Sequence, residues 1–248
     1  MKKNRLVIKQ GSSFFDHNKY HRRDAIGGMA NKIKDLNYFY NVSLVHSGAV
    51  LEGIRQYNEV AKPVRDVSPN VLAAVGSAAI SEQIRMELIV RRMMSAQLLL
   101  THSEIDNPKH GEALISTIES LESEDIIPLI NANDALEREE LNKLPEGGDN
   151  DDLAASLAIK LGAKALLLCT DVDGFMVDGE VQKKVSISEI ESLSNHIYEN
   201  GDVGTGGMYS KLKAGAKAVE AGVKVVIGNG EADYLKILAN QAGTQVVQ

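Results

Sequence analysis

Short, nearly continuous apolar runs alternate with longer stretches of helical period along this chain, and that rhythm leaves few folds open to it. Leu6–Lys9, Val42–His46, Ala96–Leu100, Ile126–Ile130, Ala165–Cys169 and Val223–Ile227 are β-branched or leucine-rich runs of strand length. Strands covered by helices on both faces read this way, because neither face can be polar. Between the first two, Ile26, Met29, Ala30, Ile33 and Leu36 recur at helical spacing. The same spacing joins Leu114, Ile118 and Leu121, then Leu153, Leu157 and Leu161, then Leu212, Ala216 and Val219. Ser68-Pro69 reads as an N-cap with proline at the first helical position, opening an alanine-rich helix toward Met94. Val177-Asp178-Gly179-Glu180 reads as a tight hairpin turn, since Asp-Gly readily takes positive φ. The pattern predicts an α/β fold with a largely parallel sheet. No repeat, low-complexity tract or long linker divides the 248 residues, so a single domain over 1–248 is expected.

Composition narrows the function. No apolar run approaches the ~18–20 residues of a membrane span, and the N-terminus has neither the apolar core nor the cleavage site of a secretory leader. A cytoplasmic protein with no membrane partner is expected. A formal net charge of -7, with no tryptophan, argues against nucleic acid as a partner. The lone Cys169 excludes an internal disulfide and a cysteine-cluster metal site. A small-molecule substrate remains.

Open α/β sheets bind ligands outside the carboxyl ends of their strands, where helix N-termini present free amides. Here those ends carry Lys9-Gln10-Gly11-Ser12-Ser13, His46-Ser47-Gly48-Ala49, Asn131-Ala132-Asn133-Asp134 and Thr170-Asp171, with Gly204-Thr205-Gly206-Gly207 ahead of a helix. Such small, polar, glycine-bearing ends point to phosphate handling. Familiar nucleotide motifs fail: no Walker sequence exists, and Tyr209 fills the third glycine position of a dinucleotide fingerprint. Asp171-Val172-Asp173-Gly174 opens like a calcium loop but has Gln182 where the bidentate acid belongs. His46, alone at a strand end, reads as a packed or hydrogen-bonding residue.

Several segments, taken in order, resemble the amino-acid kinase family, and within it the glutamate 5-kinases. They are Val7-Ile8-Lys9-Gln10-Gly11-Ser12-Ser13, Ser47-Gly48-Ala49-Val50, Leu72-Ala73-Ala74-Val75-Gly76 and Gln97-Leu98-Leu99-Leu100-Thr101. They continue through Ile127–Ala135, Gly148-Asp149-Asn150-Asp151, Leu166–Gly174 and Gly204–Lys211. The resemblance implies a three-layer α/β/α sandwich, ATP as phosphoryl donor with Mg2+, and a carboxylate acceptor. The acceptor it implies is L-glutamate, phosphorylated to L-glutamyl 5-phosphate at the start of proline synthesis. A related acceptor, or a regulatory module without catalysis, is the alternative reading. The N-terminal part is expected to bind mainly the acceptor and the C-terminal part mainly ATP, in a homo-oligomer.

Joining two anions requires cations around the moving phosphoryl group. By the resemblance, Lys9 and Lys211 supply them and Asp151 orients both. Lys9, Gly11, Thr170, Asp171, Thr205, Gly206, Gly207, Met208, Tyr209, Ser210 and Lys211 would form the ATP side. Ser47, Asp134 and Asn150 would bind the acceptor, Asp134 suiting an ammonium group and the other two a carboxylate. Phosphate oxygens and water would hold the magnesium, so no protein ligand is assigned. The chain departs from the family pattern in several places. A C-terminal PUA domain is expected to be absent after Gln248, and the Asp178-Gly179 hairpin replaces a longer nucleotide-side segment. Ala132 stands where glutamate is frequent and His46 where threonine is frequent, and the acidic stretch 137–146 is long.

Overall fold

The computed structural model describes residues 3–16, 22–60, 67–134, 150–193 and 207–248. Its centre is an eight-stranded sheet in the order β3-β4-β2-β1-β5-β9-β10-β8. The strands are β1 (Asn4–Gln10), β2 (Tyr40–His46), β3 (Met94–Leu100), β4 (Ile126–Ala132), β5 (Ala165–Thr170), β8 (Lys184–Ser186), β9 (Lys224–Asn229) and β10 (Thr244–Val247). From β3 across to β9 every pairing is parallel; β10 runs antiparallel to β9 and carries β8 beside it. All six expected strands are present. Met176–Val177 and Glu180–Val181 form the expected hairpin (β6 and β7), with Asp178 and Gly179 at φ 51° and 82°.

Strand parity sorts side chains between two helical layers. Leu6 and Ile8 point into one apolar layer, against Ile26, Met29, Ile33 and Leu36 of α1 (Arg22–Leu36) and Ile80, Ile84 and Leu88 of α3 (Pro69–Val90). Val7 points the other way, with Leu153 and Leu157 of α6 (Asn150–Lys160) and Leu212 of α7 (Met208–Glu220). Two further helices, α4 (His102–Asp106) and α5 (Pro108–Ser123), lead from β3 to β4, and α5 packs Leu114 and Ile118 on that same face. The result is the α/β/α sandwich the resemblance implies. Of the described helices longer than five residues, α2 (Ala49–Glu59) alone was not legible in the sequence; it follows Ser47-Gly48 and lies against α3. A five-residue helix, α8 (Tyr234–Leu238), follows β9. No helix among the described residues is long and apolar enough to cross a membrane.

Chain order reverses at β1. The chain goes from β1 to β2 on one side and later returns to add β5 on the other. Doubly wound sheets bind ligands outside the strand ends at such a reversal. Lys9 and Gln10 lie there.

Candidate functional site

Lys9 has the parity of Val7, so its side chain leaves β1 toward α6. Asp151 waits there, in the first turn of α6, where a carboxylate also complements the helix dipole. Lys9 Nζ lies 2.7 Å from Asp151 Oδ1, and Lys211 Nζ, from the first turn of α7, lies 3.1 Å from Asp151 Oδ2. All three are almost wholly buried, at 2%, 0% and 4% exposure respectively. Burial works against the Asp151 carboxylate. The pull of Lys9 and Lys211, with their hydrogen bonds, outweighs it and holds the carboxyl below the usual aspartate range. One carboxylate thus bridges two ammonium groups at the reversal point, between two helix N-termini that also favour anions.

The residue before Asp151 faces a different wall. Asn150 accepts from the Ala132 amide (3.2 Å) and donates to Ser47 Oγ (3.1 Å) and to Asn131 Oδ1 (3.2 Å). The ends of β2 and β4 are therefore clamped to the start of α6. The Ser47 amide donates in turn to the Gln10 carbonyl at the end of β1 (3.1 Å). Gly48 caps α2 with φ 101°, a left-handed conformation that glycine adopts without penalty. Asp134 sits two residues beyond β4, its carbonyl held at 2.9 Å by Asn70 of α3. The fold therefore brings Ser47 and Asn150 into contact, with Asp134 at the same end of the strands.

Asn131 was not singled out. Its signal was a polar residue at the buried end of an otherwise apolar strand, and its Nδ2 has no partner among the described residues. His46 is fully buried beneath Ser47, as a packed residue should be, with Nε2 3.2 Å from Ser81 Oγ and Nδ1 3.3 Å from the Ser47 carbonyl. Burial pushes its pKa down to about 4, against a smaller opposite effect of that carbonyl.

On the nucleotide side, Thr170 ends β5 and its carbonyl accepts from the Gly230 amide (2.8 Å), while Asp171 is exposed beside it. Gly207 caps α7, whose first residues are Met208, Tyr209 and Ser210. Met208 is buried in the core, and Tyr209 and Ser210 are half-buried. Gly11 has an ordinary extended backbone (φ -72°), so its glycine is not required by conformation. A Cβ there would lie 3.8 Å from both Lys9 Nζ and the Cys169 carbonyl, an ordinary contact distance. Thr205, Gly206 and the acidic stretch 137–146 lie outside the described residues.

Comparison with known proteins agrees with the fold. The glutamate 5-kinase of Enterococcus faecalis is 33% identical over 236 residues, covering 92% of this chain and 87% of that protein. The glutamate 5-kinase of Nitrosomonas eutropha is 32% identical over 247 residues, of which this chain spans 65%. The carbamate kinase of Giardia lamblia bound to AMP-PNP shares the fold, with a TM-score of 0.70 at 16% identity over 99% of this chain and 98% of that one. The profile of the Amino acid kinase family matches residues 4–229, from the first strand through the end of β9, so every described site residue named above falls inside it. With that span, the sheet order and the relatives in agreement, the chain belongs to the amino acid kinase family.

Proposed function

We propose that the chain transfers the γ-phosphoryl group of ATP to the side-chain carboxylate of L-glutamate, giving L-glutamyl 5-phosphate, the activating first step of proline synthesis. The observation that carries this reading is the buried Lys9–Asp151–Lys211 bridge. Two ammonium groups fixed by one carboxylate can flank a phosphoryl group as it passes between two anions, with little reorganisation when charge moves. The names of the relatives support glutamate as acceptor.

Each residue then has a part. Lys9 and Lys211 neutralise the nonbridging oxygens of the transferring group, and Asp151 sets their spacing. Gly11 lets the backbone beside Lys9 approach a phosphate oxygen closely. Ser47 and Asn150 offer hydrogen bonds to the acceptor, and Asp134 pairs with its ammonium group. Magnesium bound to ATP supplies further charge neutralisation. Among the described residues no group of three His, Cys, Asp or Glu could hold a metal, and Asp151 is engaged by two lysines. The ATP phosphates and water would hold it, as the family resemblance implies. The reaction requires no proton transfer by the protein, because the acceptor is already a carboxylate.

The test is ATP turnover with a panel of amino acids and hydroxylamine present. L-glutamate should stimulate turnover and yield a glutamyl hydroxamate. Turnover with another acceptor and none with glutamate would replace glutamate by that acceptor. Absence of turnover with every acceptor would leave a binding module and overturn the reading.

A further inference from the structure

The last residue of β1 sends its side chain away from the reacting lysines. Gln10 has the parity of Leu6 and Ile8, so it enters the layer of α1 and α8, opposite Lys9. In register it stands beside Cys169 of β5, which stands beside Gly228 of β9. Three adjacent strand ends thus turn a glutamine, a cysteine and a glycine toward one face. The glycine makes room for α8, since a Cβ on Gly228 would lie 2.9 Å from Ile237 Cδ1. Tyr234, in the first turn of α8 and 1% exposed, packs beneath the other two.

An amide and a phenol buried this deep need partners, and here they find each other. Tyr234 Oη lies 3.1 Å from Gln10 Oε1 and 3.1 Å from the Gly230 carbonyl, and can donate to either. Lys32 Nζ of α1 donates to that same carbonyl at 2.6 Å and lies 4.6 Å from the centre of the Tyr234 ring. The Cys169 thiol also neighbours the hydroxyl, and burial keeps it neutral by pushing its pKa up to about 11. Gly230 has no room for a side chain, because a Cβ would lie 2.6 Å from Gln10 Nε2. These contacts converge on the turn that follows β9.

That turn is tied in the other direction to the segment Thr170–Gly174. The Gly230 amide donates to the Thr170 carbonyl (2.8 Å), and Asn229 Nδ2, at the end of β9, donates to Asp173 Oδ1 (3.0 Å). We propose that Gln10, Tyr234 and Lys32 are positioning residues for the nucleotide, fixing the turn after β9 and, through it, Thr170 and Asp171. The inference rests on the reading of Thr170 and Asp171 as part of the ATP side. The three side chains act from the face of the sheet opposite Lys9, through the turn. Loosening it lowers affinity, because only molecules with the turn in place are competent to bind.

Calorimetry of the full chain with a nonhydrolysable ATP analogue tests the proposal, alongside KM for the acceptor. Tyr234→Phe removes only the hydroxyl, and Gln10→Met removes its acceptor at similar size. Each should raise the dissociation constant of the analogue ~3–10-fold, the span expected for one lost hydrogen bond, and leave KM for the acceptor unchanged. The double variant should bind only as weakly as the weaker single variant, since both changes break one contact. Circular dichroism confirms that each variant is folded, and a general loss of stability would give neither the split between substrates nor this non-additivity. Unchanged analogue affinity in both single variants, equal weakening of both substrates, or additive losses would overturn the proposal and leave the proposed reaction standing. A wild type that binds no nucleotide would overturn both.

Discussion

At the scale of single residues, the account rests on two buried lysines and the carboxylate between them. Charge redistributes on the phosphoryl group and leaving oxygen in the transition state, so a fixed cation contributes most there. Lys9→Ala or Lys211→Ala should lower kcat by ~10²–10³-fold while raising KM much less. Asp151→Asn should act in the same direction and also destabilise the fold by ~3–5 kcal/mol, because it strands two buried ammonium groups. Kinetics with thermal unfolding check both, and a folded Lys9→Ala variant of near-normal kcat would remove Lys9 from the chemistry. His46 sets a different expectation. Its ordinary pKa is 6.5 and its folded value about 4. Between those pH values the unfolded chain binds the extra proton, so stability is full above pH 6.5 and falls as pH drops toward 4. The loss should reach about 3 kcal/mol. His46→Thr should flatten urea-derived stability across that window, and an unchanged slope would place the acid sensitivity elsewhere.

At the scale of elements, the least legible feature is the one that aims the loop after β2. Helices α2 and α3 meet backbone to backbone. A Cβ on Gly76 would lie 2.0 Å from the Ala49 carbonyl, and one on Gly53 would lie 2.0 Å from the Leu72 carbonyl. Gly76→Ala must push α2 away, and α2 begins immediately after Ser47-Gly48. Overpacking of this kind costs roughly 1–3 kcal/mol. The variant should lose that stability and raise KM for the acceptor more than for ATP; equal changes in both would uncouple α2 from the acceptor side. The six long strands were legible because burial on both faces forces continuous apolar runs. The α2 segment was not, since its buried residues are Ala49, Glu52 and Gly53 while Leu51 is exposed, so apolar spacing does not mark its buried face. The strands β8 and β10, with three and four residues, are too short for periodicity to register. In the site, Lys9 and Ser47 were legible as polar breaks at strand ends, while Asn150 was reached only through the family resemblance. Asn131 was overlooked because one buried polar side chain has no periodicity.

At the scale of the whole molecule, each helical layer has its own task. One layer packs α1 and α3 behind the loops after β2 and β4, and the other brings α6 and α7 together so that Asp151 meets Lys211. The sheet reversal at β1 places Lys9 between them. The central claim, transfer of phosphorus from ATP to a side-chain carboxylate, is tested by L-glutamate labelled with ¹⁸O in that carboxylate. Attack on the acyl carbon of the product, by hydroxylamine or by its own amine, breaks the carbon–oxygen bond and leaves the former carboxylate oxygen on phosphate. Mass spectrometry of the released phosphate should find one ¹⁸O per phosphate, formed at a rate that falls with kcat in Lys9→Ala. Unlabelled phosphate would mean that water accepts the phosphoryl group, and would contradict the account.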